Sequence, residues 1–139
     1  MTSPAVAGTL RTIAPIDVSN ATARSFVLSE QMMNYMINGK TYDMNRVDVL
    51  AKLGTTEVWT VKNSADMDHP FHLHGFQFQV LDRNGTAEPV VAWDDTVNVP
   101  RKGTVRLAVQ LADFKGVRMY HCHILEHEDL GMMGTIDVE

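Results

Sequence analysis

The sequence predicts an all-β fold, a β-sandwich or Greek-key barrel. Three observations point to it. Short runs rich in β-branched and aromatic residues recur along the chain, each bounded by turn residues. No stretch shows sustained helical periodicity. Two Asn-Gly pairs, Asn38-Gly39 and Asn84-Gly85, supply hairpin signals, because both residue types tolerate positive φ.

Taken in order, the first strand is Ser25-Phe26-Val27-Leu28. Met33–Ile37 and Lys40–Met44 flank Asn38-Gly39 and are expected to pair as a hairpin. Glu57–Asn63 alternates apolar and polar residues, as a half-buried strand does. Gln77–Leu81 follows, closed by the second Asn-Gly turn. Thr96–Val99, Val105–Val109, Val117–Tyr120 and Thr135–Val138 complete the set. Strands at this spacing favour antiparallel pairing. The one helical turn expected lies at Ile124–Asp129. Met32, Met33 and Met36 read as packing residues, since methionine fills irregular cores.

A chain of 139 residues is one domain's worth, and 45% hydrophobic residues suffice for a buried core. Residues 1–139 are therefore read as a single domain, with 1–24 as a leading segment or a former interdomain linker. The net charge of -5 argues against a nucleic-acid partner, which needs a basic face. No apolar run approaches the roughly 20 residues of a membrane helix, and no signal peptide is visible in the chain. The single cysteine excludes an internal disulfide.

Histidine placement is the informative feature. All six histidines fall in two short clusters, His69-Pro70-Phe71-His72-Leu73-His74 and His121-Cys122-His123-Ile124-Leu125-Glu126-His127. The only cysteine sits inside the second, and Met132 follows it by ten positions. Imidazole and thiolate suit copper and zinc, and two His with one Cys and a distant Met make a blue copper site. Strand alternation sorts the ligands. His121 and His123 share one face, and Cys122 takes the other. His72 and His74 share a face, and His69 has the opposite parity. One group is then His72, His74, His121 and His123. The other is Cys122 and His69, to which a loop can return His127 and Met132.

Those two segments resemble the C-terminal copper signatures of multicopper oxidases, the family of laccases. The resemblance extends to Ile37–Asp43 and Trp93–Val97 and covers most of the chain from Met33 onward. It implies a cupredoxin-like fold and an oxidoreductase that reduces dioxygen with electrons from a small donor, a phenol, an aromatic amine or a low-valent metal ion. By resemblance, His69, Cys122, His127 and axial Met132 hold a type 1 copper. His72 binds a type 2 copper, and His74, His121 and His123 bind a type 3 pair. Electrons would pass through Cys122 to the cluster, and Glu128 matches the acid that relays protons. Asp95 is expected to hydrogen-bond near that path. Asp94 departs from the lysine common in relatives without touching a ligand. A periplasmic or secreted location is also implied.

The family's trinuclear cluster uses eight histidines in four His-X-His pairs, and this sequence holds two pairs. The type 1 set is complete and the trinuclear set is half present. Three arrangements follow: an N-terminal cupredoxin domain supplies the rest, a second copy does so in a homo-oligomer, or the chain is a stand-alone electron-transfer cupredoxin. Structural zinc would leave Met132 and four histidines without a role. A cysteine nucleophile is disfavoured because Cys122 points away from both adjacent histidines. Trp59 and Trp93 read as core or rim aromatics.

Overall fold

The computed structural model describes Gly8 and residues 11–139. Among the described residues, eleven strands and one helical turn follow each other: β1 (Thr22–Gln31), β2 (Asn34–Ile37), β3 (Val49–Ala51), β4 (Thr55–Asn63), β5 (His69–Leu73), β6 (Phe78–Arg83), β7 (Thr86–Ala87), β8 (Thr96–Val99), β9 (Thr104–Leu111), β10 (Gly116–Cys122), α1 (Leu125–Asp129) and β11 (Met133–Val138). They form two sheets, β2-β1-β4-β9-β6-β7 and β3-β11-β10-β5-β8, packed face to face as a cupredoxin-like sandwich. Thr22–Arg24, at the end of the expected leading segment, already belong to β1.

The strands hold this arrangement because alternate residues are apolar and turned inward. In β4, Trp59 and Val61 are buried, and in β9 Val105, Leu107, Val109 and Leu111 are. An aromatic cluster joins the sheets. Phe26 of β1 lies 4.7 Å from Trp59 of β4 and 5.0 Å from Tyr120 of β10. Phe71 of β5 lies 6.0 Å from Phe26 and from Tyr120. The centroid spacings suit tilted and edge-on aromatic packing. Trp59 Nε1 donates to Glu57 Oε2 at 2.7 Å, and Arg24 Nε meets the same oxygen at 2.6 Å, so the buried carboxylate is paired. Gly134 stands opposite Tyr120 in the β10–β11 ladder, and a Cβ there would lie 2.4 Å from the Tyr120 hydroxyl. Only glycine admits the ring.

Three expectations need correction. First, pairing is mixed: β1 runs parallel to β4, and β3 parallel to β11. Second, the Asn38-Gly39 turn forms, with both residues at positive φ, but Lys40–Met44 does not return as a strand. Beyond the Ile37–Lys40 bridge the chain leaves, and Tyr42 N–H donates to Gly131 O instead. The Asn38 side chain accepts from Val27 N and donates to Ser25 O, holding the turn against β1. The partner of β2 is β1, across the turn Met32-Met33, with Met32 at φ 56. Third, that turn leaves Met32 95% and Met33 71% exposed, so neither packs in the core. Among the described residues no helix is long and apolar enough to cross a membrane.

Candidate metal centre

Two strands bring the histidine clusters together. β5 and β10 are antiparallel neighbours, with His121 opposite His72 and Cys122 opposite Phe71. Alternation runs unbroken through Pro70: His69, Phe71 and Leu73 are buried, while His72 lies on the other face. Cys122 therefore points into the sandwich, and His121 points away from it.

The inner group is closed by α1. This single turn follows β10 and places His127 back beside Cys122. Gly131, at φ 106, lets the chain leave the turn, and a Cβ there would lie 2.9 Å from Thr41 Cβ. Met132, fully buried, then donates its N–H to His127 O and accepts from Cys122 N. Cys122 Sγ lies 3.4 Å from His69 Nδ1 and 3.6 Å from His127 Nδ1. The two Nδ1 atoms are 3.1 Å apart. A triangle with edges of about 3.4 Å has its centre about 2 Å from each corner, the length of a metal–imidazole bond. Two imidazoles and one sulfur in this triangle fit copper.

Burial keeps the donors of the inner group uncharged. Burial pulls the His69 pKa down to about 4, helped by His127 and opposed by Asp68. Burial also lowers His127. It pushes the Cys122 thiol up to about 11, against the Ile124 backbone N–H. At neutral pH the imidazoles are free bases and the thiol keeps its proton. Metal uptake must then release one proton per ion, and affinity should rise about tenfold per pH unit through the neutral range. Calorimetry in buffers of different ionisation enthalpy measures this; zero proton release would contradict a thiolate ligand.

The outer group faces a cleft of about 650 Å³ lined by His72, His74, Trp93, Asp95, Gln110 and Asp113 among others. Ring nitrogens of His72, His74 and His121 lie within 4.8 Å of one another. His123 flanks this compact set, its ring 5.3 Å from His72 and 5.5 Å from His121. Their tautomers are held from behind. His72 Nδ1 meets Asp95 O at 2.9 Å and Thr96 Oγ1 at 2.8 Å. His121 Nδ1 donates to Cys122 O at 2.9 Å and lies 3.3 Å from Glu128 Oε2. With that proton on Nδ1, Nε2 of His121 is a lone pair, and it faces His74 Nε2 at 2.9 Å. Ring nitrogens converging in this way fit a cation. Burial lowers the pKa of both His72 and His74, which keeps them neutral.

The structure brings His69, Cys122 and His127 into one group and His72, His74 and His121 into the other, with His123 and Glu128 beside the second and Met132 joined to the first through its backbone. Trp59 lies in the core and Trp93 on the cleft rim, as expected. His69 and His127 are themselves 0% and 3% exposed. Glu30 and Tyr35 cover them, and neither carries a motif that marks it in the sequence.

A sandwich with a cysteine–histidine site inside one strand pair and an imidazole cluster behind it defines a copper-binding cupredoxin type. The multicopper oxidase family model matches residues 15–139, and this chain belongs to that family. It is 42% identical over 111 residues to the multicopper oxidase mco of Staphylococcus haemolyticus, covering 76% of this chain and 25% of that protein. It is 36% identical to a laccase of Haloferax volcanii, over 94% of this chain and 24% of the laccase. The crystal structure of a laccase from Pediococcus acidilactici superposes with a TM-score of 0.87 at 41% identity, over 94% of this chain and 30% of that one. The chain thus spans about a quarter of the length of the curated relatives it matches.

Proposed function

We propose that this chain is the copper-carrying domain of a laccase-like oxidase. His69, Cys122, His127 and Met132 hold a type 1 copper. His72 holds a type 2 copper, and His74, His121 and His123 supply half the ligands of a type 3 pair. Copper held by these residues would supply one-electron redox chemistry between a phenol-like or metal-ion donor and dioxygen, whose reduction to two waters takes four electrons and four protons.

The residues themselves do the rest. Cys122 and His121 are adjacent in sequence and face opposite sides of β10, so one peptide unit joins the two groups covalently. Burial of His69, Cys122 and His127 keeps water from the inner group and limits rearrangement. Glu128, half-buried at 3.3 Å from His121, is placed to carry protons between solvent and the cluster. Asp95 O and Thr96 Oγ1 hold the orientation of His72. The remaining histidines come from a second cupredoxin domain or a second copy of this chain.

The back-to-back placement of thiolate and imidazoles across β10 carries this reading. A stand-alone electron-transfer protein has no use for the outer imidazoles, three of whose ligating nitrogens converge within 4.8 Å. The test is copper loading: an intense blue absorption that bleaches when a phenolic donor is added supports the reading, and a colourless complex ends it. Met132→Leu should keep the colour and raise the reduction potential, since a weak donor to the oxidised ion is lost. A potential that stays or falls, measured by redox titration of the blue band, removes Met132 as axial ligand.

A further inference from the structure

The β1–β2 hairpin lies over the inner group, and two of its residues touch the two histidines there. Glu30 and Tyr35 are directly opposed in the β1–β2 register. Directly opposed residues of an antiparallel pair project to the same face. Glu30 Oε1 lies 3.0 Å from His69 Nε2. Both atoms are shielded from solvent, and among the described residues neither has a hydrogen-bond partner; the ring N–H is not in line with the oxygen at this ring angle. The Tyr35 ring stacks on His127 at 4.2 Å, with the planes 19° apart.

We infer that Glu30 and Tyr35 form a clamp that positions the two imidazole ligands of the Cys122 site and sets its reduction potential. This rests on the assignment of that site to copper.

A histidine that ligates through Nδ1 carries its proton on Nε2, and a buried N–H needs an acceptor. Among the described residues, only Glu30 Oε1 stands within reach of His69 Nε2, and it has no other donor. A small rotation of the ring brings the two into line and fixes the tautomer that leaves Nδ1 free. The carboxylate also places negative charge behind one ligand, which favours the oxidised ion over the reduced one. Tyr35 acts on the other ligand by contact: a near-parallel ring prevents the His127 imidazole from tipping out of the ligand triangle. It also separates His127 from solvent. The other nearby acids are committed elsewhere or exposed. Asp68 accepts from Asn98 and Arg101 N, and Glu126 is on the exposed face of α1.

The experiment is redox titration of the copper-loaded protein, followed at the blue band, for Glu30→Gln, Glu30→Leu, Tyr35→Phe, Tyr35→Leu and the control Glu126→Gln. The potential should rise for Glu30→Gln and rise further for Glu30→Leu, which removes the acceptor as well as the charge. Glu126→Gln removes an equal charge near His127 without touching His69 and should shift little. Tyr35→Phe should match the parent, while Tyr35→Leu should release copper to a chelator at least several-fold faster. Unchanged potentials in both Glu30 variants, or equal shifts from Glu30→Gln and Glu126→Gln, overturn the Glu30 half. Parent-like copper release by Tyr35→Leu overturns the Tyr35 half. A parent protein that never turns blue would instead refute the copper assignment, so the two failures are distinct.

Discussion

Cys122→Ser is expected to abolish the blue absorption of the copper-loaded protein and to slow electron transfer from the inner group to the outer one. The colour needs a copper–sulfur bond, and a coordinating thiol is deprotonated outright. A serine hydroxyl is a harder donor and gives up its proton far less readily, so the triangle of His69, His127 and residue 122 loses its soft corner. The path suffers with it. Sγ is the atom that joins the inner group to the backbone of β10, and His121 is the next residue along that backbone. The substitution is nearly isosteric at a fully buried position, so the fold should persist. Thermal unfolding of the copper-free variant checks this. Colour that survives the change means that another sulfur, or no sulfur, binds the ion, and the assignment of the inner group falls.

The sorting of Cys122 and the histidines to opposite faces of their strands was readable because strand alternation is a strict period of two. His121, Cys122 and His123 cannot share a face in an extended strand, and the β5–β10 register then sets His121 against His72. The all-β class was readable from the same alternation in Glu57–Asn63 and Val105–Val109, which became β4 and β9. Less legible was anything decided by distant partners. Asn38-Gly39 signals a turn in itself, but whether Lys40–Met44 pairs afterwards depends on Tyr42 finding Gly131 on another element. The parallel β1–β4 and β3–β11 pairs depend likewise on which sheet edges are free. Met32 and Met33 are apolar by type, yet a two-residue turn between β1 and β2 must project them outward. Glu30 and Tyr35 escaped notice for the same reason. Their relation to His69 and His127 exists only once that turn has fixed the register.

The copper-loaded chain alone should give up its blue colour to a phenolic donor and regain it only slowly in air, with no steady uptake of dioxygen. The inner group's three donors lie within the chain, 3.1–3.6 Å apart, with Met132 buried in the same core. The outer group is not enclosed. His123 is exposed, His72 and His74 are half-buried, and the cleft beside them is open. All six histidines of the sequence are already assigned to the two groups, so no further imidazole can close the cluster from within. Reducing dioxygen to water takes four electrons delivered together, and an open half-cluster cannot hold the metal ions that would store them. Oxygen-electrode measurements with a phenolic donor, made alongside copper count and mass by light scattering, separate the arrangements. Idle monomers that bleach once support completion by another domain. Steady oxygen uptake confined to a dimer means that a two-fold pair supplies the four His-X-His segments. Steady uptake by a monomer would show that four imidazoles are enough, and the half-cluster reading would have to be given up.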